Sequence, residues 1–180
     1  MKFKYIYFGI TTLGFSLLIS SFTLLPKINA TQKNNTAYRT VLDDTIPALN
    51  KGILTFVNLH LHKTVGSGEC WDLAAIPLRD LHAKWDRQYV FGKLLRPSRD
   101  SVLPGDIIQF DGVVITNQIG NATTTSYLTQ HTAIIYKVLG SLKYVLAQQN
   151  TSDFGRTVSL GEIDLTHLVK GRFMIYRPVE

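Results

Sequence analysis

The chain holds a single cysteine, Cys70, inside the stretch Val65-Gly66-Ser67-Gly68-Glu69-Cys70-Trp71-Asp72-Leu73-Ala74. Two glycines free the backbone to turn, and acids at 69 and 72 suit a first helical turn. The spacing therefore predicts a helix starting at residue 69 or 70, with Trp71, Leu73, Ala74, Leu78 and Leu81 packed behind it. A thiol placed there meets unpaired backbone N–H groups and the positive end of the helix dipole, which favour the thiolate that attacks carbonyl carbon. On burial statistics alone a lone cysteine is more often structural, so a catalytic reading needs a base from elsewhere in the chain.

His131 is the candidate base. It opens the β-prone run His131 to Val138, which is separated by Leu139-Gly140-Ser141-Leu142 from a second run, Tyr144 to Asn150. A hairpin centred between Gly140 and Ser141 sets His131 opposite Asn150, with Gln148 on the same face and Gln149 on the other. A slip of one residue would bring Gln149 to that face instead. In the first register Cys70 is the nucleophile and His131 takes its proton and later protonates the leaving amine. An amide oxygen of Asn150 or Gln148 fixes the imidazole tautomer. The Cys70 backbone N–H, at a helix start, is a candidate oxyanion donor.

The elements that must position these groups can be read in order. Asp43-Asp44-Thr45 and Pro47 precede Leu49, Ile53, Phe56, Val57 and Leu61 at helical spacing, which predicts a helix over 45–62 with a weak point at Gly52. The cysteine helix is expected to reach about residue 86, with Pro77 kinking or dividing it. Tyr89 to Gly92 reads as a strand, and Pro104-Gly105-Asp106 as a turn into Ile107 to Phe110. Asp111-Gly112 reads as a hairpin turn into Val113 to Ile115. Residues 116–130 are expected to be a polar rim or lid. Val158 to Leu160 and Phe173 to Tyr176 read as further strands around a short helix or turn from Ile163 to Val169, with Gly171 at its end.

Residues 1–30 read as a signal peptide: Lys2 and Lys4, then an apolar run to Leu25, then Ile28-Asn29-Ala30 as a cleavage site. The run is long enough that an uncleaved membrane anchor is the alternative, and in either case the remainder is exported. Residues 31–44 form a polar lead-in and 45–180 the working domain. The leader carries Lys2, Lys4 and Lys27 and no acid, so its removal takes the formal charge from +6 to +3. With no basic patch interleaved with aromatics, nucleic-acid binding is not indicated. One cysteine allows no intrachain disulfide, and His60 and His62, two apart on a helix, share no metal-binding face. No metal or cofactor is expected.

The four segments Gly68-Glu69-Cys70-Trp71-Asp72-Leu73-Ala74, Pro104-Gly105-Asp106-Ile107-Ile108-Gln109-Phe110, His131-Thr132-Ala133-Ile134-Ile135 and Gln148-Gln149-Asn150 occur in an order that resembles the papain-like superfamily of NlpC-type and CHAP domains, CHAP most closely. The resemblance spans about residues 45–177. It implies an α+β papain-like fold in which N-terminal helices, one carrying the cysteine at its N-terminus, pack on an antiparallel β-sheet. It also implies a secreted thiol amidase or endopeptidase acting on peptide or peptidoglycan amides through Cys70, His131 and Asn150, with Gln148 beside them. Many CHAP domains have Glu where this chain has Gln148, which makes Asn150 the better candidate orienter and weakens stabilisation of an imidazolium. An acyltransferase and a non-catalytic wall- or peptide-binding module are the alternatives on the same scaffold.

Overall fold

Pro47 leads into helix α1, Ala48–His60, which buries Ile53 and Val57 completely. The computed structural model describes residues 45–119 and 122–180, so the expected leader and the whole of the lead-in lie outside the described residues. Gly52 does not break α1. Its missing side chain admits Leu81, whose Cδ1 would stand 2.8 Å from a β-carbon at that position. Helix α2 is Cys70–Asp80, shorter than expected. Pro77 lies buried within it and does not divide it. The helix ends one turn later, where the Leu81 N–H donates to the Pro77 carbonyl at 2.9 Å. Leu73, Ala74 and Leu78 of α2 are buried, each leucine contributing about 2 kcal/mol by area.

Six antiparallel strands follow: β1 Lys93–Leu95, β2 Ile107–Ile119, β3 Ala122–Gly140, β4 Lys143–Gln148, β5 Ser159–Asp164 and β6 Leu168–Arg177. They form one sheet in the order β1-β6-β2-β3-β4-β5. A 3-10 turn, Leu165–His167, links β5 to β6 within the stretch expected to be a short helix or turn. The expected strand at Tyr89 to Gly92 is displaced to β1.

Asp111-Gly112 is not a hairpin turn. β2 runs straight through it, with Gly112 at φ +62° beside a register shift against β6. Gly171 faces this irregularity from inside β6, where a β-carbon would sit 2.3 Å from the Gly112 carbonyl oxygen. Two glycines thus permit a bulge where the dipeptide resembled a turn. The stretch 116–130 is likewise not a lid: its described residues are the far arms of β2 and β3, paired through Ile119 and Ala122.

Strand alternation separates two cores. Ile107, Ile134 and Ala147 face α1 and α2, whereas Ile108, Phe110, Ala133, Ile135 and Leu146 pack on the other face. The Pro-Gly-Asp turn locks the helices to the sheet. The fully buried Asp106 carboxylate accepts from Asn50 Nδ2 on α1 at 2.9 Å, from the Leu103 N–H at 2.8 Å, and from Arg177 of β6 at 3.0 and 2.8 Å. Gly105, at φ +86°, leaves no room for a β-carbon against the Asn50 backbone.

Candidate active site

The glycine turn before Cys70 is held from both sides. Asp72 Oδ2 accepts from the Ser67 N–H at 2.8 Å and its hydroxyl at 2.6 Å, and Gly66 sits so close to this carboxylate that a side chain would displace it. From below, the buried Gln149 side chain accepts from the Val65 N–H at 3.1 Å and donates to the carbonyls of Val65 at 3.0 Å and Glu69 at 2.6 Å. From outside, Arg156 donates to the Ser67 carbonyl at 3.0 Å and to Glu69 Oε1 at 2.6 Å. Cys70, half-buried, is the first residue of α2, and helix geometry leaves its N–H without an intrahelical acceptor. Trp71 anchors the helix start by donating to the Gln88 carbonyl at 2.6 Å and by packing on Trp85.

His131 lies on β3, 6% exposed, with its ring against Phe110. Its Nε2 is 3.1 Å from Gln148 Oε1. Burial pushes the imidazole pKa below its usual 6.5, and the bond to Gln148 opposes the shift to a lesser degree. The local register is the one that sets residues 131 and 150 opposite each other, since Ile134 pairs with Ala147 and Ile135 with Leu146. It arises differently from the expectation. The hairpin turns one residue later, at Ser141 and Leu142, and two register shifts restore the alignment before the site.

β4 ends at Gln148, and Asn150 adopts φ +60°. That left-handed conformation turns its amide away from the imidazole and onto Glu69, Nδ2 to Oε2 at 2.7 Å. His131 is therefore paired with Gln148, and Asn150 braces the residue that precedes Cys70. Gly161 on β5 makes this pairing feasible: a β-carbon there would lie 2.8 Å from Gln148 Nε2.

Residues 148–150 thus touch His131 on one side and the Cys70 turn on the other. Among the described residues, no hydrogen bond joins the Cys70 thiol to His131. The alternation of β3 explains this. Thr132, not His131, faces the helices, and its hydroxyl donates to the buried Gln109 at 2.6 Å. His131 instead borders the part of β3 that β4 does not cover, because their pairing begins only at Ile134.

The structural roles of Arg156, Gly161 and Arg177 had no local signal in the sequence, since each acts on residues far along the chain. The histidines on and after α1 are separated: His60 bonds the Phe56 carbonyl at 2.8 Å, and His62 is exposed at φ +63°. Among the described residues, no group of three or more His, Cys, Asp or Glu side chains is placed to hold a metal ion.

Comparison with known proteins gives three findings. The chain is similar to Altered inheritance of mitochondria protein 3 of Debaryomyces hansenii, 28% identical over an alignment of 136 positions that covers 64% of this chain and 14% of that protein. It thus matches about a seventh of that relative's length. A solved structure described as the crystal structure of Ly7917 is similar over 71% of this chain and 62% of its own, at 14% identity and a TM-score of 0.43. Residues 30–180 match the family model for the AIM3/BBC1 cysteine proteinase-fold domain, a span that takes in both helices and all six strands of the described residues. The chain belongs to the AIM3/BBC1 cysteine proteinase-fold domain family.

Proposed function

We propose that this domain is a thiol-dependent amidohydrolase of peptide substrates, with Cys70 as nucleophile, His131 as base and Gln148 as the orienting group. The observation that carries the reading is the 3.1 Å contact between His131 Nε2 and Gln148 Oε1. An amide oxygen can only accept, so Nε2 holds the proton and Nδ1 keeps its lone pair for a thiol. Burial keeps the imidazole neutral near neutral pH, the form a general base requires.

Nδ1 takes the Cys70 proton as sulfur bonds to the carbonyl carbon, and the oxyanion faces the Cys70 N–H. Nδ1–H then passes its proton to the departing amine as the C–N bond breaks. Water, deprotonated by the same nitrogen, releases the acid and restores the thiol. The imidazole packs on Phe110, on the sheet face opposite the helices, so this step requires it to reach the thiol around the uncovered edge of β3 when substrate is bound.

The substrate class is proposed as extended peptide amides, with peptidoglycan stem peptides as the subset that the CHAP resemblance implies. Export through residues 1–30 belongs to the same proposal, and N-terminal sequencing of secreted protein tests it. Capture of an acyl-Cys70 by an amine would make the domain an acyltransferase, which product analysis with added nucleophile distinguishes.

A second reading, a binding module with an idle cysteine, is favoured by a thiol with no hydrogen bond among the described residues and by the uncharged Gln148 behind a buried imidazole. Alkylation of Cys70 by iodoacetamide near neutral pH separates the two. The hydrolase reading requires a rate above that of a free thiol and a clear loss in His131→Ala. Equal rates in both proteins support the binding module.

A further inference from the structure

A groove of about 820 Å³ opens beside His131. Its lining includes residues 125–131 in unbroken succession. Successive strand residues point to opposite faces, so a cavity touching every one of them lies along the strand's edge and meets its main chain. β2 occupies one edge of this part of β3, and β4 joins the other only from Ile134 onward. Among the described residues, nothing pairs with the second edge of Thr125 to Gln130. The backbone N–H and C=O groups on that edge are available to another extended chain.

The charge of the groove indicates which chain. Among the described residues its lining holds three acids, Asp153, Glu162 and Asp164, and no lysine or arginine, in a protein of formal charge +6. Asp164 is already paired with Lys143 at 2.7 Å, which holds its carboxyl well below the usual carboxylate range, whereas Glu162 and Asp153 make no ion pair among the described residues. Tyr127 and Phe154, 72% and 52% exposed, also line it and offer aromatic faces to a cation or an alkyl stem.

We propose that this groove binds a basic peptide segment as an added strand on the free edge of β3. Main-chain bonds to residues 125–130 supply affinity, and Glu162 and Asp153 select lysine or arginine side chains. The strand would end at His131, so the proposal deepens the hydrolase reading by giving that site its substrate class. Binding itself does not require turnover.

The test uses the full chain carrying Cys70→Ala, which cannot hydrolyse, and fluorescently labelled decapeptides followed by anisotropy. A Lys-rich extended peptide should bind, more weakly as salt rises, and an Asp-rich peptide of matched length should not. Glu162→Gln should weaken binding about fivefold, as should Asp153→Asn. N-methylation of the peptide should cost about tenfold at alternate positions and little between them, the pattern of a strand that bonds with every second amide. Equal binding of acidic and basic peptides, or uniform tolerance of N-methylation, would overturn the proposal. So would loss of the free edge to self-association, read by sedimentation of the protein alone. Binding by this protein with no cleavage by the parent chain would defeat the hydrolase reading and leave the groove standing.

Discussion

Gly161 lies against the side chain of Gln148 so closely that a methyl group on it would stand 2.8 Å from Nε2. The amide cannot retreat without changing its contact with His131, because its other end bonds the imidazole. A glycine on the outer strand therefore sets the position of the histidine two strands away.

Gly161→Ala should reduce turnover about tenfold, the size of one lost orienting hydrogen bond. Because Gly161 is half-exposed and not at positive φ, the melting temperature should change little. Steady-state kinetics beside a thermal melt checks both. A fall in turnover matched by a large fall in melting temperature would mean that the strand, and not the amide, had been disturbed.

Gln148→Glu places a carboxylate against the imidazole. A negative charge beside the ring favours the imidazolium, so the His131 pKa should rise and the acid limb of the pH–rate profile should move to higher pH. Gln148→Ala removes the orienter, and its acid limb should move to lower pH, because the bond that opposes desolvation is gone. NMR titration of the imidazole gives the same shifts without turnover, and an unmoved resonance in both variants would contradict the pairing.

The burial of His131 also enters stability. Its folded pKa lies below the unfolded 6.5, so the unfolded chain binds the extra proton first. The neutral imidazole's contribution is fully present above pH 6.5 and is lost as pH falls through 6.5 toward the lowered folded value. Urea unfolding across that range should show stability falling on acidification, and His131→Asn should flatten this part of the curve. An identical slope in the two proteins would place the acid sensitivity elsewhere.

Arg177→Met leaves the Asp106 carboxylate buried with only Asn50 and the Leu103 N–H beside it. Removing one partner of a buried pair should cost about 3 kcal/mol, and Arg177→Lys should recover part of it, since an ammonium cannot reproduce the two-nitrogen fork. Denaturant unfolding measures both. A cost below about 1 kcal/mol would mean that solvent reaches the carboxylate.

The α+β architecture was legible because its signals are local. Helical spacing announced α1, the glycine turn announced the start of α2, and β-branched runs announced β3 and β4. Arrangements set by distant partners were not legible. Asp111-Gly112 carries a turn signature, yet Gly171 on β6 accepts it as a bulge. Residues 116–130 are polar because β2 and β3 extend beyond the helices that cover their other ends, and polarity alone cannot separate such an arm from a loop. At the site, the expected register places Asn150 toward His131. The departure comes from one backbone angle, the positive φ of Asn150, which strand periodicity does not encode. Gln149 does point to the face opposite His131, as the register implies, and there it is the main support of the Cys70 turn, a role the sequence did not signal.

Three adjacent amides, at 148, 149 and 150, each hold a different part of the molecule, and this governs where the chain can change length. Near Ser141 and Leu142 the β3–β4 hairpin already absorbs two register shifts, so a residue gained or lost at that tip has a ready means of accommodation. Between Ala147 and Asn150 there is none. One inserted residue would exchange the partner of the histidine for the support of the cysteine turn and detach both at once. Natural variants and engineered chimeras of this domain should therefore vary in length at the hairpin tip and hold these three positions in step.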